Sequence, residues 1–142
     1  MSTRSIIGLK EHGGDIRYIY CHSDGYPEYN GRILKKHYTD EEKVKDLINL
    51  GDISVLDEHI GSKQDFNNRT RGWTLAYGRD RGETGVKAKL STPQSLGWNA
   101  GRCGAEYAYV FEDGKWKSYA VHTDKLESLD GKKKATKIEA FA

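Results

Sequence analysis

Two cysteines and two prolines in 142 residues leave little material for several common chemistries. Cys21 and Cys103 are too few for a disulfide framework. No Cys-x-x-Cys or His-x-x-x-His pair occurs, so a cysteine-only structural zinc site is excluded. Free thiols in a reducing compartment are the plain reading. Charge of one sign is also lacking: the formal net charge is +2, which gives no overall polyanion-binding signal. The opening MSTRSIIGLK has no apolar run of secretory length, and no segment is apolar for long enough to span a bilayer as a helix. A cytoplasmic protein is expected. Scarce proline beside sixteen glycines points to ordered elements joined by tight turns, and away from disorder. No internal repeat of useful length is present.

What is there is charge and aromatic surface. Charged residues make up 31 % of the chain and apolar ones only 36 %, but nine Tyr and three Trp bring large buried areas to a lean core. The length predicts one domain spanning 1–142, burying roughly two thirds of its unfolded surface, with 124–142 as a peripheral basic tail ending in a short strand.

Hydrophobic spacing orders the elements. Ser2–Lys10 and Asp15–Cys21 read as a hairpin turning at Gly13-Gly14. Ile33, Leu34 and His37 then sit at helical spacing. Thr39 and Glu42 form a capping box for a helix carrying Val44, Leu47, Ile48 and Leu50, with Gly51 closing it. Asp52–Ile60 reads as a short amphipathic turn or helix, and Gly61–Arg71 as an exposed loop. Trp73–Tyr77 and Val86–Leu90 alternate like strands, and Thr92–Gly104 is turn-rich around Trp98. Glu106–Phe111 and Trp116–Val121 flank Asp113-Gly114, the strongest hairpin signal in the chain. A basic run, Lys132–Lys134, precedes a last alternating stretch at Ile138 and Phe141 suited to an edge. Hairpins with helices clustered between them predict an α+β fold: an antiparallel sheet with two or three helices on one face, the capping-box helix covering it.

Chemistry gathers in two loops. Tyr18–Asn30, YIYCHSDGYPEYN, offers a thiol, an imidazole, two carboxylates and four phenols. His22 and Asp24 suit a base with its orienter or two metal ligands. The plainer reading is a turn, with His22 on a carbonyl and Asp24 in an Asx-turn into Gly25. Cys21 beside His22 would be a nucleophile only if both faced one way, and alternation on a strand turns them apart. The second loop follows Tyr77: Arg79-Asp80-Arg81 between Gly78 and Gly82 reads as a phosphate clamp or as a solvated tip. Arg4 can extend such a clamp or lie idle on the surface. Lys132–Lys134 can grip nucleic acid or simply be solvated.

Three segments carry a resemblance. The opening Ser2-Thr3-Arg4-Ser5-x-Ile7-Gly8, the stretch Tyr20-Cys21-His22-x-Asp24-Gly25-Tyr26-Pro27-Glu28, and Ala76-Tyr77-Gly78-Arg79-Asp80-Arg81-Gly82-Glu83 are similar to a family of small bacteriophage and prophage proteins. The likeness runs on through the Thr39–Gly51 helix and the Glu106–Tyr119 hairpin and covers most of the chain. Ser23 departs from the family pattern, which has Trp there. The resemblance implies a setting and no particular reaction: an accessory protein made in the cytoplasm of an infected bacterium, acting on host machinery or host defence.

Joined in one sheet, the two strand ends would put Arg4, Tyr20, His22, Asp24, Tyr26, Tyr77, Arg79, Asp80 and Arg81 on a single rim. Phenols beside guanidinium groups suit a flat ring carrying a phosphate. The leading expectation is a binder that blocks a host molecule without turnover, its partner a nucleotide-like small molecule or a host defence or regulatory protein. No cofactor, metal or catalytic residue is assigned. A small metal-dependent hydrolase or nuclease using His22, Asp24, Asp80 and Glu83 is the alternative, although a compact carboxylate cluster is missing. Nucleic-acid binding through the lysine-rich end is a third, disfavoured by the near-neutral balance. Self-association into a homo-oligomer stays open.

Overall fold

The computed structural model describes residues 2–122 and the strand Ile138–Ala140. Its strands are β1 (Ser5–Lys10), β2 (Ile16–Cys21), β3 (Ile53–Val55), β4 (Leu75–Ala76), β5 (Lys89–Ser91), β6 (Tyr107–Glu112), β7 (Lys115–Tyr119) and β8 (Ile138–Ala140). Its α-helices are α1 (Arg32–His37), α2 (Glu41–Asn49), α3 (Tyr77–Arg81) and α4 (Leu96–Arg102), with a π-helical turn at Pro27–Gly31 leading into α1. Among the described residues no helix is long and apolar enough to cross a membrane.

The α+β class is as expected, and both main hairpins form. β1 pairs antiparallel with β2, and β6 with β7. At the β6–β7 turn Asp113 and Gly114 both take positive φ, 53° and 75°, the two-residue turn that Asp-Gly favours. The first hairpin turns through five residues instead of two. Its closing bonds run from the Glu11 N–H to the Asp15 carbonyl and from the Gly14 N–H to the Glu11 carbonyl.

How the hairpins join is different from the expectation. The sheet runs β4-β3-β2-β1-β6-β7-β8 and is mixed, because β6 lies parallel to β1 and β3 parallel to β2. Local turn residues specify hairpins, but the pairing of one hairpin with the next is set by distant partners. β1 is the centre of the sheet, and SIIGLK accordingly reads as a near-continuous apolar run.

Helices also cover both faces, where one was expected. On the first face Ile7, Leu9, Ile19, Cys21, Tyr109, Phe111 and Trp116 pack under α1 and α2, and Val44, Leu47 and Ile48 of α2 are fully buried there. The expected stripe is therefore the cover of this face. Its cap is Asp40, whose carboxylate accepts from the Glu42 N–H, and the Thr39 capping box does not form. On the second face Ile6, Ile16, Tyr18, Ala108, Val110 and Tyr119 meet Leu96 and Ala100 of α4. The α4 sequence LGWNAGR has poor helix propensity, which hides it from a periodicity reading. It uses glycine because the chain runs close: a Cβ on Gly97 would stand 2.4 Å from the Ala120 carbonyl oxygen.

Three boundaries move. A strand, β3, occupies part of the expected turn or helix at Asp52–Ile60. The strand expected over Trp73–Tyr77 ends at Ala76, and α3 begins at Tyr77. Of Val86–Leu90, only the end forms β5. β8 pairs antiparallel with β7, as the terminal stretch suggested, while Lys132–Lys134 and Phe141 lie outside the described residues.

Candidate functional site

The first loop is mostly architecture. Cys21 faces the α1–α2 core, where burial pushes its thiol up to about 11 and leaves it protonated at neutral pH. Its Sγ accepts from Asn30 at 3.3 Å and donates to the Ser23 carbonyl at 3.5 Å. Asp24 takes a positive φ of 54°, and its carbonyl accepts from the Asn30 N–H. Gly25 is pressed against β1, with its N–H on the Thr3 carbonyl and its own carbonyl accepting from the Tyr109 hydroxyl at 2.6 Å. Tyr26 donates to Asp24 at 3.5 Å. Burial raises the Tyr29 phenol, and the charges of Asp57 and Asp24 raise it further. Asp24 and Tyr26 thus bond each other and the turn they sit in.

The second loop is a clamp turned inward. Because α3 starts at Tyr77, residues 79–81 lie on a helical turn and do not alternate, so Arg79 and Arg81 do not form a pair of forks. Arg79 Nε donates to Asp80 Oδ1 at 2.8 Å and Nη2 to Oδ2 at 3.1 Å. The same guanidinium donates to the carbonyls of Ile60 and Thr74. Asp80 also accepts from the Ala76 N–H, the Gln64 N–H and the Gln64 side chain. Burial alone would raise the Asp80 carboxyl, but Arg79 and the two backbone donors outweigh it and hold it below its ordinary range. Arg79 and Asp80 thus tie the 60–74 loop to the sheet. Arg81 stays at the surface, 4.4 Å from the Phe66 ring and 5.0 Å from that of Tyr77, and pairs with Glu83.

The two strand ends do meet, through a residue the sequence reading passed over. Cys21 is in register with Ile53, and Ile53 with Ala76. Tyr20, Asp52 and Tyr77 consequently stand side by side on three neighbouring segments of the sheet. Asp52 Oδ1 accepts from the Tyr20 N–H at 3.0 Å, and its carbonyl accepts from the Tyr77 N–H at 3.3 Å. The side chain fills a gap in the outer edge of β2, between β5 at Ile16–Tyr18 and β3 at Cys21.

Beside this row lies a cleft of about 210 Å³ lined by Tyr18, Tyr20, Asp52, Lys89 and Cys103. Asp52 Oδ2 takes no hydrogen bond from the described residues. Burial raises the Asp52 carboxyl, the Tyr20 N–H and Lys89 draw it down, and Glu83 adds to the rise. Burial likewise raises the Tyr20 and Tyr18 phenols, against which the charges of Arg4 and Arg102 pull. Arg102 precedes the cleft residue Cys103, and its guanidinium lies 5.6 Å from the Trp98 ring. Arg4 lies over Gly104, where a Cβ would be 2.8 Å from its Nη1. The Tyr20 hydroxyl and His22 Nδ1 share a hydrogen bond of 2.8 Å, so His22 holds a phenol and no turn carbonyl.

Of the residues singled out in the sequence, Arg4, Tyr20, His22, Tyr77 and Arg81 gather around this row. Asp24, Tyr26, Arg79 and Asp80 are engaged elsewhere. Asp52 and Lys89 carry no motif, one being an Asp after a helix-closing glycine and the other a Lys in an alternating stretch, and the sequence gives no reason to set Tyr18 and Cys103 beside them. The site combines phenol walls, one open carboxylate oxygen and a cationic margin. Among the described residues no three His, Cys, Asp or Glu side chains converge as a metal-binding group. No protein-family model, curated protein or solved structure matches the chain.

Proposed function

We propose that this is a phage or prophage accessory protein of the infected bacterium's cytoplasm that binds and blocks a host molecule without turning it over. The molecule is a nucleotide-like anion seated at the cleft beside Asp52. One observation carries the reading: Tyr20, Asp52 and Tyr77 form a continuous aromatic and acceptor row, with Lys89 on the cleft, Arg81 beside the Tyr77 ring and Arg4 over Gly104. Rings stack on phenols, and guanidinium and ammonium groups hold phosphate oxygens. The hydrolase alternative draws less support, because Asp80 is engaged by five hydrogen bonds and Asp24 accepts from the Tyr26 hydroxyl.

Native mass spectrometry of protein taken from infected cells tests this directly, followed by titration with nucleotides in the presence of Mg²⁺. A retained small anion that is released chemically unchanged is the expected result. A retained host protein with no small ligand would move the reading to a defence or regulatory partner. Cleavage of the added nucleotide would replace the binder with an enzyme.

A further inference from the structure

We infer that Asp52 reads the ring of the ligand: the cleft selects a nucleobase bearing an exocyclic amine and discriminates against uracil. This deepens the nucleotide reading above and rests on it.

The argument begins with how Asp52 is held. Oδ1 is fixed by a strand N–H in the gap of the β2 edge, and the residue's own N–H and carbonyl are bonded to the Val86 carbonyl and the Tyr77 N–H. The carboxylate therefore cannot turn away without breaking the sheet edge. Oδ2 remains an acceptor beside the cleft. An ionised carboxylate offers acceptors only, so the complementary ligand atom must be a donor.

The size of the cleft narrows the choice. Whole small-molecule sites run to about 300–1,000 Å³. A cleft of about 210 Å³ has room for a ring system and leaves a sugar and phosphate at its mouth. Lys89 is the cation on the cleft itself, and Arg4 lies over Gly104, the neighbour of the cleft residue Cys103.

Nucleobases differ in what they present to such an acceptor. Adenine, cytosine and guanine each carry an exocyclic amine. Uracil carries its ring N–H between two carbonyls, and these would be set against the carboxylate. Uracil's one donor reaches the carboxylate only from between two carbonyl oxygens, whereas an exocyclic amine projects from the ring edge with two hydrogens, so a fixed acceptor favours the amine-bearing bases.

The test is a titration of AMP, CMP, GMP and UMP at fixed ionic strength against three proteins: the wild type, Asp52→Asn and Lys89→Ala. For the wild type, at least one amine-bearing nucleotide should bind tenfold or more tighter than UMP. Asp52→Asn keeps an oxygen for the Tyr20 N–H and presents an NH₂ to the cleft, so that preference should shrink or invert. Lys89→Ala should weaken all four by a similar factor and leave the order unchanged. Binding of all four within threefold, or a preference that survives Asp52→Asn, would overturn base selection while leaving a nucleotide binder in place. Failure of every nucleotide, including the corresponding triphosphates, to bind the wild type would remove both readings together.

Discussion

Arg79 grips the carboxylate of Asp80, its own neighbour in sequence, through two hydrogen bonds, and with the same guanidinium reaches back to the carbonyls of Ile60 and Thr74. A pair that reads as a surface tip in sequence is a pin through the loop beneath it. Removing one partner of a buried pair leaves the other uncompensated, so Arg79→Ala should destabilise the fold by about 3–5 kcal/mol. Arg79→Lys should recover little, lacking the planar fork. Arg81→Ala, at an exposed pair, should lose about 0–1 kcal/mol. Urea denaturation of the three variants decides the matter, and equal midpoints for Arg79→Ala and Arg81→Ala would show the clamp to be idle.

Leu47 is fully buried where α2 meets the first face of the sheet. Leu47→Ala should lower stability by about 2–5 kcal/mol through lost burial and the cavity left behind. A change below about 0.5 kcal/mol in the same denaturation experiment is incompatible with α2 as the cover of that face.

Gly25 and Gly13 should respond differently to one added methyl group. A Cβ on Gly25 would stand 2.7 Å from the Ser5 Cβ, while nothing lies within 4 Å of one on Gly13. Gly25→Ala should destabilise by about 1–3 kcal/mol through overpacking. Gly13→Ala should be neutral or slightly stabilising, by at most about 1 kcal/mol. Calorimetric melting compares them, and a tolerated Gly25→Ala would show that β1 and the Asp24–Tyr26 turn are not tightly packed.

Asp52 and Asp80 should affect the pH dependence of stability with opposite signs. Burial raises the Asp52 carboxyl above its ordinary 3.8, so folding favours its protonated form and ionisation weighs against the fold above that range. Asp52→Asn should therefore melt higher than wild type at pH 7, with the gap closing as pH falls toward 3. The hydrogen-bonded Asp80 titrates below 3.8 when folded. Its contribution is present above 3.8 and is lost as pH falls through the lower folded value, so Asp80→Asn should melt lower than wild type at pH 7. Melting curves from pH 2.5 to 7 that place both variants on the same side of wild type would contradict this.

Cys103 is exposed and lines the cleft, while Cys21 is buried with its thiol raised to about 11. A thiol reagent applied to the native protein should add one label, at Cys103, and a bound nucleotide should slow it. Two labels before unfolding would mean that Cys21 is accessible. Unchanged labelling by a nucleotide that binds would place the ligand elsewhere.

Much of the fold was legible because its signals are local. Asp113-Gly114 specifies its hairpin, and the spacing of Val44, Leu47 and Ile48 specifies the covered side of α2. The parallel β1–β6 pairing joins residues as distant as Ser5 and Tyr107, and no neighbouring residue records it. α4 was hidden because Gly97, Asn99 and Gly101 weaken its helical pattern. The candidate site was half legible. Tyr20, His22 and Tyr77 announce themselves as aromatic residues beside turns, but Asp52 gains its place only from the register of three strands. Arg79 and Asp80 misled for the converse reason, since charged residues between glycines look solvated until the loop that folds over them is known.

The parallel contact between β1 and β6 has a consequence for the birth of the chain. When the first hairpin leaves the ribosome, the strand that will cover its inner edge has not been made. At synthesis rates of about 5–20 residues per second, that edge stands open for roughly 5–20 s before Tyr107–Phe111 arrives. Unpaired apolar edges recruit other strands. A nascent chain stalled or cut short before Tyr107 would carry a complete β1–β2 hairpin with no partner for its most apolar strand, a template for a second unfinished copy of itself.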